Sequence, residues 1–348
     1  MDRIKGVNRV FLATVLISCI APYLGISALT DNYLILLLAS QLLLILPAAV
    51  YLILQKQSYR EAVRLNKLRI STIILLILLT ILIMPLMTFV NALSMVFAEN
   101  TTTAYMQELT GQNSMLISLI GVALVPAVLE ESVYRGIFYN EYRKYRPAAA
   151  IFLSALLFAL LHGNLNQFTY AFVMGIIFAL VIEATNSIAS TMIMHFIINA
   201  NSILLMYAYP RLLWYLEGLY KNAGLTGDTE LAAQLEAMFG DGFTIEALLE
   251  GSKQAINSMG VLDVVQAYGM SAVVCTVLAF IVYRAIAINN GRWKAVRDIF
   301  RKKQPESEEP HIRYSLDPEK PKKVRLGTPA LYLGAAIMAV GMIAAELL

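Results

Sequence analysis

Runs of about twenty apolar residues recur along this chain, and each is long enough to cross a hydrocarbon core as a helix. In lipid every backbone polar group must find its partner inside the protein, so only helices and closed barrels span a membrane. Strand-like alternation is absent, which argues against a barrel. Composition agrees: of 348 residues, 58% are hydrophobic and 15% charged, with a mean hydropathy of +0.65. Soluble domains of this length are less apolar. The expected fold class is all-α, a polytopic membrane helix bundle of about eight to nine transmembrane helices.

Nine candidate spans cover roughly 10–29, 33–54, 70–97, 114–138, 148–163, 168–185, 188–208, 268–288 and 328–348. Lysine and arginine placement orients them. Basic residues stand at Arg3, Lys5 and Arg9, then between Lys56 and Arg69, then at Arg143, Lys144 and Arg146. Eleven more lie in 289–327. The connections at 30–32, 98–113 and 164–167 carry none, nor does the short gap near 186. This alternation predicts a cytoplasmic N-terminus and an outside C-terminus, in what composition suggests is a bacterial plasma membrane. Leu16-Ile17-Ser18-Cys19 is similar to a lipoprotein cleavage box, but the apolar run continues to Leu29, so an uncleaved span is expected. Cys19 and Cys275 both lie in apolar runs and form no C-x-x-C pair, which indicates neither a metal knuckle nor a disulfide framework.

Four regions follow: N-terminal membrane helices over 1–110, a motif-bearing membrane core over 111–208, an extracytoplasmic helical insertion over 209–267, and C-terminal helices over 268–348 joined by a basic cytoplasmic linker at 289–327. The insertion has eight acidic and three basic residues. Asp228 can cap a helix running to about Met238, with Gly240 as its stop. A second helical stretch runs from Thr244 to about Tyr268. The bland reading is a small cap resting on the membrane, the sharper one a lid or docking element. The linker holds His311 in solvent, and its basic residues are suited to anionic lipid. Positive-inside bias explains that charge without nucleic acid. No internal repeat, phosphate-binding glycine loop or H-E-x-x-H motif is present.

Chemistry concentrates in three short stretches. Glu130-Glu131-x-x-x-Arg135 ends an apolar run that begins near Ser114. Phe158-x-x-x-His162 and His195-x-x-x-Asn199 lie in two later runs. A charge inside a bilayer costs roughly 2.5–3.5 kcal/mol on insertion scales, so such residues usually face a cavity or a partner. Residues four apart share a helix face, so Glu131 and Arg135 can pair as a structural clamp. Glu130 sits about 100° further round and is free to face a cavity. Juxtamembrane carboxylates in lipid headgroups are the bland alternative. Counting about 1.5 Å per residue, Glu130, His162, His195 and Asn199 lie at similar depth, roughly 15–23 Å from the cytoplasmic boundary. There Glu130 could take a proton from water, His162 could orient that water, and His195 and Asn199 could donate to a developing oxyanion. The same residue types also permit zinc bound by Glu130, His162 and His195, with Asn199 behind them.

These three motifs resemble those of the CPBP family of intramembrane proteases, also called the ABI family, which includes the type II CAAX prenyl endopeptidases. The family pattern is E-E-x-x-x-R, then F-x-x-x-H, then H-x-x-x-N/D, and all three stand here complete and in order. The resemblance covers about residues 114–207. It implies an intramembrane endopeptidase that cleaves a peptide in or beside the membrane, prenylated or not. It implies Glu130 as water activator with His162, and His195 with Asn199 as oxyanion donors, with Glu131 and Arg135 completing the site. The glutamate mechanism needs no cofactor and is preferred; a zinc-dependent version is the alternative. A non-catalytic scaffold or bacteriocin self-immunity protein would use the same cavity for binding alone. A transporter would use the buried Glu and His as a proton relay, but would be expected to show an inverted repeat. The segment 209–267, the linker and the final span lie beyond the shared core.

Overall fold

The computed structural model describes residues 3–25, 30–226, 258–300 and 325–347, with isolated positions at 230, 233, 234, 237 and 244. Among these residues the chain is helical and has no strand. We number the helices α1 Arg3–Ile20, α2 Tyr33–Leu54, α3 Tyr59–Val63, α4 Ile70–Met95, α5 Thr102–Gln112, α6 Met115–Arg143, α7 Pro147–Leu160, α8 Leu165–Thr185, α9 Ala189–Thr226, α10 Val261–Asn289, α11 Trp293–Asp298 and α12 Pro329–Leu347. Eight of them, α1, α2, α4, α6, α8, α9, α10 and α12, are long and apolar enough to cross a membrane. The protein is an integral membrane helix bundle.

The fifth expected span is the exception. α7 has 14 residues. Its rise of about 21 Å falls short of a hydrocarbon core of about 30 Å. One face of it is nonetheless buried from Pro147 to Leu160, while Phe152 stays exposed. Gly175 of α8 explains how closely it packs. A Cβ on Gly175 would sit 2.7 Å from Ala155 Cβ and 2.8 Å from its Cα, so only glycine admits this approach. α9 differs in the other direction. The span expected to end near 208 continues as one helix to Thr226, supported by an i,i+4 pair of Glu217 and Lys221 at 2.7 Å. The expected Asp228 cap, the helix to Met238 and most of the Thr244–Tyr268 stretch fall outside the described residues. So do residues 301–324, with His311.

The connections sort into two ends, as the alternation of charge predicts. At the basic end, Arg143, Arg64 and Arg292 gather round Glu183 of α8 at 2.7, 3.6 and 3.7 Å. Tyr139 OH donates to the same carboxylate at 2.8 Å. Arg64 also donates to Asn186, whose left-handed backbone (φ 56°) turns the chain between α8 and α9. Burial, joined by the neighbouring Arg143 guanidinium, pushes Arg64 down to about 10. At the other end, Asn32 meets Asn113, Tyr105 OH donates to the Tyr33 carbonyl, and Asn164 donates to Thr101.

Arginines that sequence assigns to the membrane surface are therefore structural. Glu183 is 2% exposed. Glu183→Gln keeps the shape but leaves three guanidinium groups without their shared countercharge. It should lower stability by about 1.5–3 kcal/mol, the usual worth of a hydrogen bond to a charged group. Thermal unfolding in detergent measures it, and wild-type melting would show the cluster to be solvated.

Candidate active site

α6 is not a uniform helix. Its turns widen to i→i+5 pairing over Leu119–Leu124 and again over Ser132–Tyr139, with an ordinary α segment, Val125–Glu131, between them. Such widened turns are common at functional sites, because they shift side chains out of α register. Pro126 adds a second irregularity. It has no N–H to donate to the carbonyl four residues back, at Val122. Asn199 of α9 supplies the missing donor, with Nδ2 3.1 Å from Val122 O. One hydrogen of the Asn199 amide is thus spent on the scaffold, and the amide has one more to offer.

Glu131 and Arg135 pair as their spacing predicts. Arg135 NH1 lies 2.8 Å from Glu131 Oε1, and both side chains are 0% exposed. The guanidinium lies over two aromatic faces, with Cζ 4.3 Å from the Phe158 centroid and 5.1 Å from that of Phe178. Cation–π attraction of this kind strengthens where water is excluded. The pair is also a trio. His195 Nδ1 lies 3.1 Å from the same Glu131 Oε1. A carboxylate oxygen accepts, so Nδ1 carries the proton. Nε2 is then a donor in the doubly protonated ring and an acceptor in the neutral one.

Glu130 turns elsewhere. Its side chain is 14% exposed and its Oε2 lies 3.9 Å from His195 Nε2. That gap is too long for a hydrogen bond. An oxygen at about 2.8 Å from each atom would fit between them. The other oxygen, Oε1, accepts from Gln41 Nε2 of α2 at 2.8 Å. Gln41 is 7% exposed, and its own carbonyl oxygen has no partner among the described residues.

His162 lies in the turn just past α7 rather than inside the span. Its Nδ1 is 2.8 Å from the Phe158 carbonyl. A carbonyl can only accept, so Nδ1–H donates and Nε2 is left bare. The imidazole stands edge-on to the Phe158 ring at 4.8 Å between centroids. Phe158 also meets His195 at 6.2 Å and Tyr134 at 4.9 Å. The short α7 thus delivers one aromatic ring into the middle of the cluster and sets a histidine beside it.

All six residues singled out in the sequence, Glu130, Glu131, Arg135, His162, His195 and Asn199, belong to this one cluster. Its members come from α2, α6, α8, α9 and the end of α7. Sequence reading missed Gln41, a neutral amide in the middle of the second apolar run. A polar residue at that depth was the available signal. It also missed Phe178 and Pro126. His195 donates Nδ1–H to Glu131 and keeps Nε2 open, which suits a metal-ligating histidine as well as a hydrogen-bond donor. Among the described residues no three His, Cys, Asp or Glu side chains are grouped as one ligand set.

Residues 112–201 match the family model described as type II CAAX prenyl endopeptidase, Rce1-like. The match covers this stretch and no more of the chain. It begins at the end of α5 and stops two residues past Asn199, so it contains all three motifs. No curated protein and no solved structure matches the chain. The helices α1–α4 and α10–α12 lie outside the matched residues. One of them, α2, still contributes Gln41 to the cluster.

Proposed function

We propose that the protein is an intramembrane endopeptidase in which Glu130 activates water. The observation that carries this reading is the division of labour between adjacent carboxylates. Glu131 is sealed between Arg135 and His195, while Glu130 keeps one oxygen facing His195 across a 3.9 Å gap. Water held there loses a proton to Glu130 as its oxygen attacks the scissile carbonyl. The bare Nε2 of His162 accepts the water's other hydrogen and orients it. Charge develops on the carbonyl oxygen, where the second Asn199 hydrogen donates, joined by Nε2–H of His195 when its ring is doubly protonated. Preorganised donors of this kind are worth roughly 3–4 kcal/mol each. Glu130 then passes its proton to the departing amine as the C–N bond breaks.

The name of the matched family suggests the substrate class: a peptide with a prenylated cysteine a few residues before its C-terminus, presented at the basic end of the bundle. That end is cytoplasmic in our reading, and the enzyme needs no cofactor. Incubating purified protein with prenylated and unprenylated versions of one C-terminal peptide tests the substrate. Cleavage of the prenylated form alone supports it; equal cleavage removes the prenyl requirement.

Gln41 is a positioning residue in this scheme. Its amide holds Glu130 Oε1 and so aims Oε2 at the water. Gln41→Leu removes that donor while keeping size. We expect kcat to fall about tenfold, equivalent to about 1.4 kcal/mol of barrier, with KM and melting temperature little changed. An unchanged kcat would show that Glu130 is aimed by α6 alone.

A further inference from the structure

We propose that the cleft between the starts of α1 and α12 binds a phosphate-bearing anion, supplied by an anionic phospholipid of the surrounding bilayer. The cleft encloses about 570 Å³. Arg9 and Arg325 line it together with Lys5, and among the described residues no acidic side chain does. Arg9 and Arg325 repel each other across the concavity, and an anion placed between them relieves that repulsion. Thr328 adds a hydroxyl, and the first turn of α12 adds the positive end of a 19-residue helix.

The cleft has a fixed floor. Asn8 is fully buried beneath it. Its Nδ2 donates to the Leu326 carbonyl at 2.8 Å and to Thr328 Oγ1 at 2.9 Å. Tyr142 OH donates to Asn8 Oδ1 at 2.6 Å. These bonds hold the entry to α12 against α1, so the cations stand on a rigid frame rather than on a loose tail.

Lipid fits better than free phosphate because the site has an apolar side. Ile4 and Pro329 form part of its wall. From there α1 and α12 run on with outward apolar side chains, Leu16 and Ile20 on one, Leu333 and Val340 on the other. A headgroup phosphate can sit among the cations while its acyl chains lie along those faces. Basic residues at a membrane surface each favour anionic lipid about fivefold. Removing two of them should weaken binding about 25-fold.

The test is thermal unfolding of the full-length protein in detergent, titrated separately with phosphatidylglycerol, phosphatidylcholine and inorganic phosphate. Wild type is compared with Arg9→Gln/Arg325→Gln and with Arg60→Gln/Lys67→Gln, which removes two exposed cations elsewhere. We expect phosphatidylglycerol to stabilise wild type and the Arg60/Lys67 variant alike. The Arg9/Arg325 variant should need about 25-fold more lipid, and Arg325→Gln alone about fivefold more. Phosphatidylcholine should do little. Equal responses of all variants would overturn the site in favour of general surface charge, and no response of wild type would overturn it outright. Equal stabilisation by inorganic phosphate would keep the anion chemistry and overturn the lipid as its source.

Discussion

Arg135→Ala destabilises the protein severely and removes activity with it. The substitution strips Glu131 of the guanidinium 2.8 Å away, in a site where both side chains are fully buried. Removing one member of a buried ion pair costs roughly 3–5 kcal/mol, because the survivor stays in place without its countercharge. The loss extends beyond the pair. Arg135 also covers the faces of Phe158 and Phe178, so its removal opens a void where α6, α7 and α8 meet. His195 then hangs on a carboxylate that has lost its anchor. Thermal unfolding in detergent and membrane abundance both report the effect.

Glu130→Gln has the opposite signature. Glutamine keeps the shape and can still hydrogen-bond Gln41, but it cannot take a proton from water. Among the described residues Glu130 has no ion-pair partner within hydrogen-bonding distance, and His195 Nε2 stands 3.9 Å away. Turnover should fall about 10²–10⁴-fold, the usual contribution of a general base, while melting stays near wild type. If Glu130→Gln proves the unstable variant and Arg135→Ala melts normally, the two carboxylates have been assigned the wrong way round.

The spans and the three motifs are legible in sequence because local rules govern them. Hydropathy over twenty residues marks a crossing, and four-residue spacing puts Glu131 over Arg135. What escapes is non-local. Gln41 is 89 positions from Glu130, and an uncharged amide barely dents the hydropathy of α2. Glu183 looks like an ordinary carboxylate at a helix end until Arg64, Arg143 and Arg292 arrive from three separate connections. Positive-inside bias places those arginines at one shared end but cannot say that they are buried. The second partner of Glu131, His195, depends on how α9 packs against α6, which no spacing encodes. Hydropathy also misplaces the C-terminal end of α9, because 209–226 is helical but carries three charges, Arg211, Glu217 and Lys221.

Asn199 shows how a motif residue can serve fold and chemistry together. Pro126 frees the Val122 carbonyl, and Asn199 bonds it, which locks α9 to α6 at the level of the site. The same bond fixes the amide plane and so aims its second hydrogen. A histidine bonded through Nδ1 to its own helix end is fixed in the same way at His162.

Glutamate-activated hydrolysis is tested most directly by exposing a library of membrane peptides to purified wild type and Glu130→Gln after exhaustive chelation, and identifying new termini by mass spectrometry. The account predicts that chelated wild type cleaves at full rate and that Glu130→Gln yields no products above background. Cleavage by Glu130→Gln at the wild-type rate, or wild-type activity lost on chelation and restored by zinc, would contradict it.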